Sequence, residues 1–110
     1  MGRGPSAART ALVTYRVIVR PMAERDLLDA KTWYELRRPG LGAELLDTFD
    51  ELRDRLERTP LIYPVVHRSL RRVALPRFPY LVYFAIHGQT VSVIACLHAA
   101  RNPVIVRRRS

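Results

Sequence analysis

The chain has 110 residues, 48% of them apolar, which suits one domain burying roughly two-thirds of the surface its unfolded chain exposes and excludes a disordered protein. Nineteen basic against ten acidic side chains leave a net charge of +9, and all but Lys31 of the nineteen are arginine, so an acidic partner is expected, either nucleic acid or an acidic protein segment. No apolar run approaches the roughly 18 to 20 residues of a membrane span, and one cysteine excludes an intrachain disulfide.

Met1 to Leu12 carries basic, Gly, Pro and Ser residues without an apolar core. It is expected to be a flexible leader or an over-extended start, not a secretory signal, and a cytoplasmic protein follows. A domain is expected over residues 13–103. Thr14 to Arg20 alternates and is β-branched, which predicts a strand with Val17 and Val19 on one face and Ile18 on the other. Pro21 suits the first position of a helix. In that helix Ala23, Leu27, Ala30 and Tyr34 form one apolar stripe. Glu24 and Asp26 fall in its first turn and Arg37 and Arg38 in its last, as the helix dipole prefers.

Pro39-Gly-Leu-Gly42 breaks the helix. A second helix is expected beyond it, with Leu45, Phe49, Leu52 and Leu56 inward and the pairs Glu51–Arg55 and Asp54–Arg58 outward. The short connection folds the two helices into an antiparallel hairpin. Thr59-Pro60 stops the second helix, and Leu61 to Val66, with Pro64, is expected to be a loop or crossover. Three strands are expected next: Ser69–Leu75, Phe78–Ile86 and Thr90–His98, the last two joined across His87-Gly-Gln89. Both faces of this hairpin are apolar, so helices should cover one face and something partial the other. Cys96 falls in it as a buried thiol. Residues 104–110 are expected to be a basic tail. The order β-α-α-β-β-β predicts an α+β, two-layer fold: a helical hairpin on a small, mostly antiparallel four-stranded sheet.

That order, with Arg20-Pro-Met-Ala-Glu-Arg-Asp-Leu-Leu28, Arg38-Pro-Gly-Leu-Gly42, Pro60-Leu-Ile-Tyr-Pro64, Arg77-Phe-Pro-Tyr-Leu-Val-Tyr83 and Leu97-His-Ala-Ala-Arg-Asn-Pro103, resembles the RelE/ParE superfamily of type II toxin–antitoxin toxins. The ParE-like "plasmid stabilization" branch fits best. The resemblance implies a growth-inhibiting toxin neutralised by a cognate acidic antitoxin, with DNA gyrase as the target of ParE-like members. RelE-like members instead cut mRNA on the ribosome with a strand arginine, basic residues and a terminal tyrosine or histidine. Here Tyr80 stands where those nucleases often carry the arginine, no tyrosine or histidine follows Arg101, and Lys31 is the only lysine.

Three function classes therefore stay open: a toxin that acts by binding, a ribosome-dependent mRNA endonuclease, and a basic nucleic-acid-binding module without toxicity. For the nuclease, the candidate catalytic residues are His98 as base and Arg77 and Arg101 as clamps on the phosphate. The bland alternative for His98 is a half-buried imidazole bonding a backbone carbonyl. Arg71, Arg72, Trp33, Tyr80 and Tyr83 are the candidate partner-binding residues. Arg71 and Arg72 must face opposite sides of their strand. No metal-ligand spacing is present, and no cofactor is expected.

Overall fold

The computed structural model describes residues 14–109; the leader expected over residues 1–12 lies outside them. Strand β1 (Arg16–Val19) leads into α1 (Pro21–Arg37), with Pro21 opening the helix. Helix α2 (Leu41–Arg58) returns antiparallel to α1. After a 3-10 turn at Pro60–Ile62 come β2 (Val65–His67), β3 (Leu70–Ala74), β4 (Tyr80–His87), β5 (Thr90–His98) and a short helix α3 (Val104–Arg109).

The turn between the long helices shows why glycine is needed twice. Gly40 has φ +90, a left-handed backbone. Gly42 lies where the helices nearly touch: a Cβ there would sit 2.7 Å from the carbonyl oxygen of Lys31. The Glu35 carboxylate fastens the turn by accepting the N–H groups of Gly40 (2.9 Å) and Gly42 (3.0 Å). Those two bonds, Gly40 first, hold its carboxyl below the usual value.

The sheet order is β1-β5-β4-β3-β2. It has five strands, not four, and it is mixed. β1 pairs parallel with β5, Arg16 opposite Thr90, while the other pairings are antiparallel. The extra strand is β2, which starts within the stretch expected to be a crossover and runs one residue past it. Its pairing is irregular, with a register shift between Val65 and His67.

Helices α1 and α2 cover one sheet face. The expected stripes supply that core: Ala23, Leu27 and Ala30 from α1, and Leu45, Phe49, Leu52 and Leu56 from α2, against Val82, Phe84, Val91, Val93 and Cys96. A bulge between Tyr83 and Phe84 turns Ile94 and Ala95 toward the far face. There they join Leu70, Tyr83 and Leu97 beneath Val106 of α3. The segment expected to be a basic tail is thus a helix over Val104–Arg109 with Val106 1% exposed. Asn102 starts it, its Oδ1 accepting the Val104 N–H at 3.0 Å.

The charge pattern of the helices is used differently from expectation. Neither Glu51–Arg55 nor Asp54–Arg58 closes; Arg38 instead pairs with Glu44 at 3.5 Å, and Arg109 of α3 pairs with Asp26 of α1 at 2.6 Å. Asp26 also accepts the Cys96 N–H, and Arg109 donates to the Ile94 carbonyl. β1 ends opposite Val93. Beyond that point, side chains from two helices take the place of a neighbouring strand along β5. No helix among the described residues is long and apolar enough to cross a membrane.

Candidate functional site

The register of the β4–β5 hairpin sets Tyr80 opposite His98 at its open end. Their rings meet edge to face, centroids 5.4 Å apart. Helix α1 brings Tyr34 alongside, 6.1 Å from Tyr80 and 5.0 Å from Phe78. Trp33 stands edge-on to Tyr34 at 4.9 Å, and the Arg37 guanidinium lies 3.8 Å over the Trp33 ring. A cleft of about 390 Å3 opens among Trp33, Tyr34, Tyr80, His98 and Arg101, with Asp26 and Asp29 on its α1 wall.

Four of the expected site residues are therefore gathered: Trp33, Tyr80, His98 and Arg101. Trp33 is 48% exposed, a large apolar ring held outward. On the same outer side of α1, Met22 and Leu36 are also exposed. The remaining candidates lie elsewhere. Arg77 occupies the β3–β4 turn with φ 68, exposed and outside the cleft lining. Arg71 reaches back to the Tyr63 carbonyl at 2.6 Å and the Leu61 carbonyl at 3.3 Å. Arg72 emerges on the opposite face beside Tyr83, as side-chain alternation requires. Tyr83 is 5% exposed in the cluster under α3, so it offers no surface while α3 is in place. Asp26 and Asp29 join the cleft without having been expected there from the sequence; their i, i+3 spacing ahead of Trp33 sets them on one side of α1.

The chemistry available in the cleft is narrow. The backbone N–H of Ala100 donates to His98 Nδ1 at 3.0 Å. The neutral tautomer compatible with that bond carries its proton on Nε2 and presents a donor at the free edge of the ring. Burial, then Tyr34 and Cys96, push the Tyr80 phenol above its usual value, with Arg101 opposing. The Cys96 thiol is pushed up to about 12, by burial first and Asp26 second. Besides the Asp26 and Asp29 side chains on its α1 wall, the cleft thus offers rings, guanidinium groups and hydrogen-bond donors, and at neutral pH neither a thiolate nor a phenolate. Among the described residues no cluster of His, Cys, Asp and Glu could hold a metal ion.

Residues 17–103 match the family model described as the ParE toxin of the type II toxin–antitoxin system, parDE. The chain is also similar to a solved structure titled the chromosomal ParDE TA system from P. aeruginosa. The TM-score is 0.69 at 16% identity, over 76% of this chain and 95% of that one. That likeness is one of fold. No curated protein matches the sequence.

Proposed function

We propose, from the premise that the chain belongs to the ParE toxin family of type II toxin–antitoxin systems, that it arrests growth by binding an essential target rather than by cutting RNA. The carrying observation is the engagement of His98 Nδ1 by Ala100 N–H, which occupies the accepting nitrogen of the one imidazole of the cleft. The Tyr80 phenol, held protonated, does not replace it. DNA gyrase is the target that the family implies for a toxin of this branch.

The partner is a cognate antitoxin with an acidic, amphipathic segment. Its apolar face would cover Met22, Trp33 and Leu36 on α1, and its carboxylates would meet Arg37 and Arg101. Aromatic and arginine side chains at a cleft mouth are the usual anchors of such contacts.

The rival reading, mRNA cleavage on the ribosome, rests on His98 and Arg101 sharing the cleft. Induced expression separates the two. Binding requires that His98→Gln leave growth arrest intact, and that arrest come with filamentation and loss of gyrase supercoiling in the presence of purified chain. Cleavage requires that His98→Gln abolish arrest and that mRNA fragments appear with the unmutated chain.

A further inference from the structure

Ser92 sits in β5 opposite Ala85 of β4, on the sheet face turned away from the two long helices. It is 3% exposed, and its Oγ has no hydrogen-bond partner. The Nε–H of Arg109 is the other buried side-chain polar group among the described residues that lacks one. The two terminal nitrogens of Arg109 are already used by Asp26 and the Ile94 carbonyl. The two residues that carry these groups line the same cavity, about 580 Å3 in volume, between the β4–β5 hairpin, the start of α1 and the end of α3, the groups themselves lying just beneath its surface.

Buried donors are almost always matched, so two unmatched groups converging on one space mark where an acceptor belongs. The other polar side chains of the wall include Arg20 just before α1, Arg108 on α3 and His87 at the hairpin end. Among the described residues no carboxylate lines the cavity. An oxyanion is the ligand class that satisfies hydroxyl, guanidinium Nε–H and arginine forks together. The donors come from three directions: β5 below, α1 on one side and α3 on another. A tetrahedral anion presents oxygens that way, whereas a flat carboxylate presents two in one plane. We propose that this cavity binds a phosphate group, with Ser92 Oγ and Arg109 Nε at its floor and Arg20 and Arg108 closing over it. The site lies on the opposite sheet face from the aromatic cleft and does not depend on the toxin reading.

The phosphate can belong to a free small anion or to a nucleic-acid backbone. Amide NMR of the full chain, titrated with inorganic phosphate, a short single-stranded oligonucleotide and a tetraglutamate peptide, tests the site and separates the sources. Saturable shifts of the Ser92 and His87 amides with inorganic phosphate support a free phosphorylated ligand. The same shifts at far lower oligonucleotide concentration, weakening steeply with salt, support a backbone phosphate. In either case Ser92→Ala and Arg108→Gln should each weaken binding by roughly tenfold, the effect of losing one charge-assisted bond. Ser92→Ala should also leave Tm unchanged or higher, because it deletes a hydroxyl that has no partner. Absence of saturable shifts with both phosphate ligands would overturn the proposal. So would preference for the acidic peptide at these amides, or affinities unmoved by both substitutions.

Discussion

Arg109 of α3 and Asp26 of α1 meet in a two-point ion pair, Nη1 to Oδ2 at 2.6 Å and Nη2 to Oδ1 at 3.2 Å. The two side chains are 13% and 10% exposed. The same Oδ2 accepts the Cys96 N–H at 3.0 Å. The pair thus clamps the first helix, the last helix and the bare stretch of β5 together. Removing one member of a buried pair leaves the other charge uncompensated. Asp26→Ala should therefore cost about 3 kcal/mol in denaturant unfolding, and the Cys96 amide should lose hydrogen-exchange protection. Arg109→Met, which keeps the apolar stem, should cost less than Asp26→Ala, because the remaining carboxylate still holds the Cys96 N–H. Equal stability of Asp26→Ala and the unmutated chain would contradict the clamp.

Trp33 should behave as a binding anchor and not as a core residue. Its ring is half exposed and its main contacts are Tyr34 and the surface guanidinium of Arg37. Trp33→Ala should weaken antitoxin binding by about 30-fold, the scale of a 2 kcal/mol hot spot. The thermal midpoint should scarcely move. Calorimetric titration with the antitoxin, beside a melting curve, reads both. A large drop in Tm with unchanged affinity would place Trp33 in the fold instead.

The buried thiol of Cys96 makes stability fall in alkali. Its value rises from the usual 9.0 to about 12 in the folded chain. Between those values the unfolded chain gives up the thiol proton and the folded chain keeps it, so the unfolded state gains. Relative to Cys96→Ala, the unmutated chain should lose up to about 1.4 kcal/mol per pH unit across that window. Below it the two should show parallel pH profiles. Iodoacetamide should leave the native thiol unmodified at pH 8. Ready alkylation under native conditions would show that the strand opens.

The helical hairpin should be sensitive to one methyl group. Gly42→Ala places a Cβ 2.7 Å from a backbone oxygen that cannot yield without parting the helices. A cost of about 2 kcal/mol is expected from overpacking of this kind. Gly40→Ala meets no atom within 4 Å but must hold φ +90, and should cost about 1 kcal/mol. Glu35→Gln weakens the same turn. Because its two amide bonds favour the ionised form, the stabilisation from Glu35 is present above its unfolded value and is lost as pH falls through its lower folded value. Urea midpoints of the three variants between pH 3 and 7 give the comparison.

What could be read from the chain alone followed from local periodicity. Leu45, Phe49, Leu52 and Leu56 are all buried because a 3.6-residue repeat needs no knowledge of the rest of the fold. Arg71 and Arg72 part to opposite faces for the same reason, with a two-residue repeat. Thr90–His98 is a strand over the expected residues. The misses are non-local. β2 has three residues next to Pro64, too few for alternation to show. The parallel pairing of β1 with β5 depends on partners at the two ends of the domain, and no local pattern encodes it. Helix α3 did leave a local sign, the Asn102-Pro103 start, but the arginines after it suggested a solvated tail. Within the site, Trp33, Tyr80, His98 and Arg101 were legible as residue types. Their meeting follows from the Tyr80–His98 register. The removal of Tyr83 from the surface follows from α3, which was not foreseen.

Because Arg16 faces Thr90 across the parallel ladder, the sheet cannot close until β5 has left the ribosome. A nascent chain halted before β5 has both long helices and the central strand β4, but not the strand that joins β1 to the rest of the sheet, since β5 lies between β1 and β4. The core in which Val91 and Val93 of β5 meet Leu45 and Leu52 is therefore completed only once β5 has emerged.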